Sequence, residues 1–423
     1  MKKILFIFAV LLLLSACSQE EPLIPIDGCH EKEGLITRKQ AQETLEKVRG
    51  EFFPQTRGKD VKIASCNTYG PSLQPLTRSN EEPLFYVFNY EDNQGFAIMS
   101  ASPRLPQVLA ISDKGNLDLQ NLPNNGLRSF AQGLRNYGDW IEEPDTADIP
   151  DGVVYTKKFH KTNVKTTPLC DVKWHQNYPY NQYTPIVNGT NAPVGCGGVA
   201  VAQAMSVYGQ PTNFQGYTFD WQAMTEYEPS DEAIKQIARF MEVIGREDIG
   251  NFMYNLSGGT GAIIPNLIDI FTKCNYEAVY PEESRKNEDG STSSWGKNYK
   301  DIDIIGELLA GRPVIVSGQT DYGFFGVKSH FWLLHGYMQI EWLEEQRINT
   351  PTSIQVLSSK QTVNDYVLCN WGWGGMYDGY YLSGVFDLAS EDYIPDEDGF
   401  PMGGTDNYSY VLNAIINIQP KKK

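Results

Sequence analysis

The spacing of apolar and polar positions predicts a small α+β unit in the first third of the chain. In "TRKQAQETLEKVRGEFF" apolar residues recur every three to four positions after Thr37, a suitable N-cap, which predicts a helix. Two β-rich runs, Leu84–Tyr90 and Gly95–Ser100, flank the turn-forming "EDNQG" and predict a hairpin. "GLRSFAQGLRNYGDWIEE" predicts a second amphipathic helix, so the unit spans residues 35–143.

The regular pattern stops after this unit, in "PDTADIPDGVVYTKKFHKTNVKTTPLC". Proline, glycine, short β-branched runs and a lysine-rich middle predict a linker, which we place at residues 144–158. Lys157 and Lys158 would be easy protease targets if they were exposed. The remaining residues, 159–423, have the length of one large domain.

The first residues of the chain predict an export signal rather than part of the fold. Lys2 and Lys3 precede an apolar run, Ile4–Leu14, that is too short to span a bilayer comfortably. The run leads into "LSAC", which resembles the lipobox of bacterial lipoproteins. That resemblance implies cleavage after residue 16 and lipidation of Cys17. An ordinary secretory signal with an incidental cysteine is the alternative.

Residues 17–34 are polar and contain proline, which predicts a tether. Ser18 stands where aspartate would favour retention in the inner membrane, and "SQEEP" resembles a surface-export tag of some Gram-negative lipoproteins. We therefore expect an outer-membrane or cell-surface lipoprotein of a Gram-negative bacterium.

Composition narrows the choice of partners and cofactors. The chain has 52 acidic against 35 basic residues and a net charge of −17, so counterion release gives it no affinity for nucleic acid. None of the seven cysteines has the Cys-x-x-Cys spacing of a zinc or redox site. Apart from Cys17 and Cys196, five cysteines remain. They cannot all pair within one chain, and their connectivity stays open.

Cys196 begins a run of small apolar residues, "CGGVAVAQAM", which predicts a slim helix buried in a domain core. A cysteine at a helix N-terminus lies beside unpaired N–H groups and the positive end of the helix dipole. Both favour the thiolate, which is the nucleophilic form. The same N–H groups can help to bind an oxyanion. From this stretch alone, a small cysteine at a tight packing point explains the pattern equally well.

His330 is the histidine that best suits a base for this thiol, because His30 and His160 lie in the tether and in the punctuated segment. "VKSHFWLLHGYM" predicts a strand that carries His330 on one face and His335 on the other, so at most one of them points at a given cleft. A structural histidine inside a strand is the alternative.

Asn370 ends a short β-run in "YVLCNWGWGGMYDGYY" and precedes two Trp-Gly pairs. An Asn side chain can accept a hydrogen bond from His Nδ1–H and hold Nε2 toward the sulfur. The neighbouring Trp371 can shield that bond from water. An aromatic-glycine turn packed for shape is the alternative, but the order Cys, His, Asn is the one that a papain-like triad needs.

Gln176 lies 20 residues before Cys196, in "VKWHQNYPYNQYTP". Its side-chain N–H can donate to the oxyanion, and removing one such donor typically costs about 2.7–4 kcal/mol of transition-state stabilisation. We expect the adjacent His175 to be a surface residue rather than the base.

Four segments, "HQNYPYN", "GCGGVAVAQAM", "SHFWLLHGY" and "NWGWGGMYDGYY", resemble in this order the streptopain family of papain-like cysteine peptidases. "YNLSGGTGA" resembles the family's glycine-rich wall of the substrate cleft, and "YVFNYEDNQGFAIMSASPRLPQVLAISDKG" resembles its inhibitory propeptide. The resemblance covers roughly residues 35–390. It implies an α+β, papain-like fold with a helical lobe and an antiparallel β-barrel-like lobe, preceded by a small α+β propeptide domain.

The resemblance also implies a role for each matched residue. Cys196 would be the nucleophile, His330 the general base and acid, and Asn370 would orient His330. Gln176 would complete the oxyanion hole with the Cys196 backbone N–H. The implied substrate-binding residues are Ser329, Gly258, Gly259, Thr260 and Trp371, the last also covering the contact between Asn370 and His330.

Three departures from the family pattern stand out. Ser329 replaces the usual glycine before the histidine, which would narrow the cleft slightly, and His335 stands where the family often has aspartate. His330 and Asn370 are 40 residues apart because "EWLEEQRINTPTSIQVLSSKQTVNDY" is inserted. We expect that insertion to be a longer excursion between paired strands.

The sequence thus predicts a secreted, lipid-anchored zymogen of a cysteine endopeptidase that cuts proteins and peptides without a metal or organic cofactor. Its own propeptide would inhibit it until a cut near Lys157 or Lys158, to which autocatalysis contributes. That cut would also release the peptidase from a lipid anchor on Cys17. Two alternatives stay open: a Cys-His acyl transferase or amidase of the transglutaminase type, and a non-catalytic surface binding protein of the same fold.

Overall fold

The structure is a computed structural model and describes most of the chain from residue 35 onward. The described residues are 35–56, 61–76, 82–103, 105–122, 126–131, 133–134, 153–255, 259–281, 285–286, 292–293, 299–321, 327–349, 353–389 and 410–422. The expected signal peptide, the lipidation site Cys17 and the tether lie outside these ranges, as do residues 135–152.

The side chains of Thr37, Asp220 and Ser230 cap three of the helices that the structure describes. The helices are α1 (Arg38–Phe52), α2 (residues 126–131 and 133–134), α3 (Cys196–Ser206), α4 (Trp221–Met224), α5 (Asp231–Gly245), α6 (Ile264–Lys273), α7 (Asp301–Leu309) and α8 (Ser383–Ala389). Thr37 caps α1 in a reciprocal capping box with Gln40, which confirms the first predicted helix. No helix of the described ranges is long and apolar enough to cross a membrane.

Strands fill most of the remaining chain and include the predicted hairpin, β2 and β3. In chain order, β1 to β10 are Ile63–Tyr69, Phe85–Tyr90, Phe96–Ser100, Val108–Ser112, Val153–Lys165, Ile186–Val187, Thr190–Asn191, Asn213–Phe214, Tyr217–Thr218 and Met253–Asn255. Strands β11 to β19 are Gly259–Gly261, Tyr276–Val279, Arg285–Lys286, Thr292–Ser293, Val314–Asp321, Val327–Asn349, Ile354–Asn370, Gly379–Leu382 and Tyr410–Pro420.

One large antiparallel sheet runs through both parts of the chain. Its strand order is β1-β2-β3-β4-β18-β17-β16-β15-β19-β12, and β5 pairs with β16 off this path. The junction is the pairing of β4 with β18, in which Ser112 lies opposite Gly379 and Ala110 opposite Tyr381. The expected N-terminal α+β unit is therefore not an isolated body, because its sheet continues into the strands that carry His330 and Asn370.

The helical lobe packs on one side of this sheet. Strand β16 alternates, so Phe331 and Leu333 enter the hydrophobic core that contains α3, while Trp332 and Leu334 enter the core that contains the N-terminal strands. The α+β fold class is confirmed, with helices gathered around Cys196 and strands around His330.

The prediction of a linker at residues 144–158 is wrong from Val153 onward, because these residues belong to β5. Lys157 is not exposed: its side chain is only 4% accessible and pairs with Glu344 of β16 at 2.6 Å. Lys158 is more open and pairs with Glu345 at 3.6 Å. The lysines look solvated in the sequence because their acidic partners lie far away in the inserted segment.

The insertion between His330 and Asn370 extends a hairpin rather than forming a separate excursion. Strands β16 and β17 stay paired from Leu333 opposite Asn370 out to Asn349 opposite Ile354. Strand β5 adds a third strand along the outer half of β16. We call the inserted residues, 341–366, the arm.

Candidate active site

Cys196 is the first residue of α3, as the sequence predicts. Its N-cap, Gly195, has φ +91°, and a Cβ at that position would lie 3.0 Å from the carbonyl oxygen of Thr260. Glycine is therefore required there, because the conformation and the space both exclude a side chain. Residues Gly197–Met205 are buried, so the prediction of a slim core helix is confirmed.

The Cys196 thiol is half-buried and faces three backbone N–H groups, those of Cys196 itself, Gly197 and Phe331. These groups lower the pKa of the thiol, since they stabilise a thiolate, but burial raises it by more, so the pKa is raised overall. Burial therefore disfavours the thiolate in this conformation. Because Phe331 follows His330 directly, the thiol lies at the strand that carries the expected base.

His330 is buried in β16, and its ring faces the turn that contains Trp371. Its Nε2 lies 3.0 Å from the carbonyl oxygen of Trp371, and the ring stacks on Trp332 with an interplanar angle of 17°. Burial lowers the pKa of His330 to about 4, an effect that the Trp371 carbonyl only partly offsets. The imidazole is therefore neutral, and the pair of nucleophile and base is uncharged.

The expected assignment of the two ring nitrogens of His330 is reversed. A carbonyl oxygen can only accept, so the contact with Trp371 places the proton on Nε2. Nε2 thus points to the Asn370–Trp371 turn, and Nδ1 is the nitrogen left for the thiol. Which ring nitrogen of a histidine in a strand faces a given partner depends on the position of its backbone. The spacing of residues along the sequence does not predict that position.

Asn370 ends β17 and is almost fully buried, with hydrogen bonds to groups other than His330. Its Oδ1 accepts from Gln203 Nε2 at 2.8 Å and from the Gly372 N–H at 3.0 Å, and its Nδ2 donates to the Val172 carbonyl at 2.9 Å. In this conformation the next residue, Trp371, supplies the carbonyl that holds His330. Asn370 therefore stands beside the base without bonding it.

Gln203 is a site residue that our sequence reasoning missed. It lies two helical turns after Cys196 on the same face of α3, and its side chain is completely buried. Its bond to Asn370 ties the nucleophile helix to the turn that holds His330. The available signal was one long polar side chain in the otherwise small and apolar "VAVAQAM".

Comparison with known proteins gives the same family as the sequence motifs. Residues 174–381 match the Peptidase C10 family, and residues 35–137 match the Spi protease inhibitor family. This chain is a cysteine peptidase of the C10, or streptopain, family, with a Spi-type inhibitor domain in front of it. The predicted family and enzyme class are confirmed, and we call residues 35–137 the inhibitor domain.

Individual relatives agree with the family match. Streptopain of Streptococcus pyogenes is 28% identical over 85% of each chain. The thiol protease/hemagglutinin PrtT of Porphyromonas gingivalis is 23% identical over 92% of this chain, which spans only 42% of that protein. Prointerpain A of Prevotella intermedia shares the fold, with a TM-score of 0.51 and 19% identity over 85% of this chain and 100% of its own.

Gln176 of the peptidase lies next to the segment that leads into the nucleophile. Its carbonyl accepts from the Val194 N–H at 2.8 Å, two residues before Cys196. The adjacent His175 is not the surface residue we expected. It is half-buried, bridges to Trp373 and packs edge-on against Tyr180, because the Trp-Gly turn folds back over it.

The expected substrate wall is a short hairpin in which β11 (Gly259–Gly261) pairs with β10. Thr260 turns its side chain inward, where Oγ1 donates to the Pro193 carbonyl at 2.5 Å. Only the backbone of Thr260 and Gly259 is thus available to a substrate. Gly258 lies outside the described residues, and Ser329 lies in β16, opposite Gln319 of β15.

Trp371 is fully buried, and its Nε1 donates to the carbonyl of Tyr377 at 3.0 Å and to the hydroxyl of Tyr381 at 3.2 Å. It is therefore a support of the site rather than an exposed substrate contact. Its backbone N–H donates to Asp378 Oδ1 at 2.9 Å, so one residue connects a buried carboxyl to His330.

Asp378 is a second residue that the sequence reasoning missed. Burial raises the pKa of its carboxyl to about 7, with further increases from Asp113 and Asp171, while the Trp371 N–H and Lys173 lower it. The hydroxyl of Ser112, from the inhibitor domain, donates to the Asp378 carbonyl at 2.7 Å. An aspartate in an aromatic-glycine turn gives no sequence sign of this burial.

The other titratable residues that the structure describes do not form a second site. His335 is buried, and its ring bonds the backbone of Cys170. Cys66, Cys170, Cys196, Cys274 and Cys369 are free thiols. Within the described ranges, no three His, Cys, Asp or Glu residues come together as ligands for a metal ion.

Proposed function

We propose that the chain is the zymogen of an endopeptidase that cleaves peptide bonds in proteins through an acyl-enzyme on Cys196. The thiolate attacks the peptide carbonyl, and His330, having taken the thiol proton, returns it to the leaving amine. Water, deprotonated by His330, then attacks the thioester and releases the acyl group, which regenerates the thiol. Gln176 and the Cys196 N–H stabilise the oxyanion, and Asn370 orients His330.

The observation that carries this proposal is the convergence of backbone N–H groups on one thiol. The N–H groups of Cys196, Gly197 and Phe331 lower the pKa of the thiol, and Phe331 directly follows the expected base. Such N–H groups stabilise negative charge on a thiolate or on the oxygen of a tetrahedral intermediate.

Intramolecular inhibition follows from the position of His330. Its ring stacks on Trp332, whose face of β16 shares a hydrophobic core with the inhibitor domain. Nε2 is held by the Trp371 carbonyl, and burial disfavours charge on both the Cys196 thiol and the His330 imidazole. Removing the inhibitor domain would admit water to this face and let His330 turn toward Cys196.

Activation is proposed to be partly autocatalytic. The buried ion pair of Lys157 with Glu344 argues against a first cut at Lys157 or Lys158, since a protease must bind its substrate as an extended, unpaired strand. Full-length protein should shorten when incubated alone, whereas the Cys196→Ala chain should stay intact. Maturation of that variant on its own would refute the autocatalytic step.

Export and lipid anchoring through Cys17 are proposed from the N-terminal sequence alone. The protein would reach the outer membrane or the cell surface, and cleavage of the propeptide would free the peptidase from its anchor. Expression of the full chain with a labelled fatty acid should label the precursor but not its Cys17→Ala variant. Equal labelling of both would point to an ordinary secretory signal.

Casein digestion tests the peptidase proposal. Protein without residues 1–17 should digest casein after activation, and Cys196→Ala should abolish the activity. Cys66→Ser is the matched control, because Cys66 is a free thiol of the inhibitor domain, in strand β1. Incorporation of an amine into casein without chain cleavage would favour the acyl transferase, and no Cys196-dependent activity at all would favour a binding protein.

A further inference from the structure

The arm carries an acidic strand, and the lysine-rich strand β5 lies directly on it. Lys157 is opposite Glu344 in the register and Lys161 is opposite Glu341, with ion-pair distances of 2.6 and 3.6 Å. Lys158 adds a pair with Glu345 at 3.6 Å. Charge and backbone pairing therefore both fix β5 to the arm.

Side chains of the same strand also reach across to the inhibitor domain. Lys165 Nζ donates to the carbonyls of Glu51 and Phe52, at 2.5 and 2.7 Å. These carbonyls end α1, where they have no helical partner and where the helix dipole favours a cation. Thr162 Oγ1 donates to the Glu51 carboxylate at 2.9 Å.

Lys157 joins the arm and the inhibitor domain through a single ammonium group. Besides its pair with Glu344, Nζ donates to the Leu105 carbonyl at 3.2 Å. Burial lowers the pKa of Lys157, and Glu344 counteracts that effect. Glu344 keeps a second cation, Lys360 of β17, at 3.0 Å, so it stays paired if Lys157 is replaced.

We propose that β5 stays on the mature peptidase and that Lys157, Thr162 and Lys165 form a binding surface that retains the inhibitor domain after the chain is cut. This proposal rests on the proposed function, since only a cleaved zymogen needs such a surface. Activation then requires two events, a cut before β5 and the later dissociation of the inhibitor domain. The glutamates of the arm hold this surface in place through their ion pairs with β5.

The two pairs of lysines in β5 make a matched test. Lys157 and Lys165 contact both parts of the molecule, whereas Lys158 and Lys161 pair only with the arm and have side chains that are 55% and 56% exposed. Each is changed to Met, which keeps the aliphatic stem. All variants carry Cys196→Ala and, in place of residues 144–150, the recognition sequence of an unrelated site-specific endoprotease.

After the cut, gel filtration at falling protein concentration measures how tightly the inhibitor fragment is held. The parent should retain it, Lys157→Met and Lys165→Met should each weaken binding about tenfold, and Lys158→Met and Lys161→Met should change it less than about twofold. High salt should speed release from the parent. Immediate loss from the parent, or equal weakening by the control variants, would overturn the proposal.

The N-terminus of the self-activated enzyme gives an independent check. It should lie at or before Val153, and a mature chain that begins after Lys158 would show that β5 leaves with the inhibitor domain. Retention is measured without catalysis, so its failure is distinct from that of the proposed function. The latter fails only if the Cys196-bearing chain is inactive once the cut inhibitor domain has been removed.

Discussion

The two faces of β16 belong to different hydrophobic cores. Phe331 and Leu333 pack with α3 and with Ile315 of β15, in the core of the helical lobe that holds Cys196. Trp332 packs on the opposite face, in the core that includes the inhibitor domain, and His330 stacks on it. The proposed nucleophile thus lies beside the core of the helical lobe, whereas the proposed base lies on a face that the inhibitor domain shares.

From this difference we expect the inhibitor domain to act on the proposed base rather than on the proposed nucleophile. Its helix α2 places Phe130 against Tyr381 at 5.0 Å between ring centroids, and Tyr381 contacts Trp371, whose carbonyl holds His330. Ser112 bonds Asp378, which in turn accepts the Trp371 N–H. Both routes reach the turn beside His330, and neither passes through α3.

His330→Ala should have the largest effect on activity and should distinguish the roles of the two faces of β16. Peptidase activity should fall by at least about 10³-fold, because the general base and acid is lost. Alkylation of Cys196 by iodoacetamide in the uncut chain should change little, since the core around the thiol does not include His330. Casein digestion and the labelling rate check this.

His335→Gln is the matched control for that experiment. His335 is buried in the same strand, but it bonds Cys170 and has no place in the proposed mechanism. If His330→Ala alters the rate of thiol labelling as much as it alters casein digestion, the two faces of β16 are not functionally separate.

Gln203→Leu should have the next largest effect, because it removes the link between the faces. Asn370 would lose one of three hydrogen bonds and move, and small displacements of a positioning group can cost about 10²-fold in rate. We expect kcat to fall about 10- to 100-fold with a nearly unchanged KM. The pH–rate profile should also shift, which loss of folded protein alone would not cause.

Gln203→Glu and Ser206→Ala complete that experiment. Ionised glutamate has nearly the size of glutamine but cannot donate to Asn370 Oδ1, so at a pH where it is ionised it should be at least as damaging as leucine. Ser206 lies on the same helix and donates to the Gln203 carbonyl rather than to Asn370, so its loss should be mild. Full activity in Gln203→Glu would exclude a positioning role.

Asp378→Asn should change the pH dependence of stability on the His330 side. The folded pKa of about 7 is raised above the ordinary value, so the folded state binds the proton more tightly than the unfolded state. Stability from this group is therefore present below about pH 4 and is lost as pH rises from 4 to 7, by up to about 1.4 kcal/mol per pH unit. Asparagine still accepts the Trp371 N–H but has no proton to lose.

Urea unfolding of the Cys196→Ala chain between pH 5 and pH 8 measures this effect. The parent should lose stability across that range more steeply than the Asp378→Asn variant. Parallel curves would mean that Asp378 does not titrate in the fold. Asp248→Asn is a suitable control, since that carboxyl is exposed and does not contribute to the pKa shift of Asp378.

Short-range features were the ones that the sequence could predict. The Thr37 cap, the β2–β3 hairpin and the position of Cys196 at the start of α3 each depend on a few neighbouring residues. The order of Cys196, His330 and Asn370, with the family resemblance, was enough to propose a site. Which nitrogen of His330 faces Trp371 depends on the approach of β16 to the 371–378 turn, and no local pattern encodes that.

Long-range pairing explains the remaining errors. The paired lysines of β5 and acids of the arm are separated by 180 to 187 residues, so each run taken alone looks like a solvated surface. Together they form a ladder in which Glu344 lies between Lys157 and Lys360. A polar run is therefore weak evidence for a linker wherever a complementary run exists elsewhere in the chain.

Thr260→Val should have the smallest effect of these changes. It tests the comparison of the two faces of β16 on the side that carries Cys196. It removes the bond from Oγ1 to the Pro193 carbonyl, which holds the loop before Cys196, so we expect a loss of about 1 kcal/mol in stability and a few-fold loss of activity. Thr260→Ser keeps the hydroxyl and should restore most of both. Because Thr260 and Pro193 both belong to the peptidase, the change in melting temperature should be similar with and without the inhibitor domain. A much larger loss in the zymogen would mean that the inhibitor domain also supports the nucleophile.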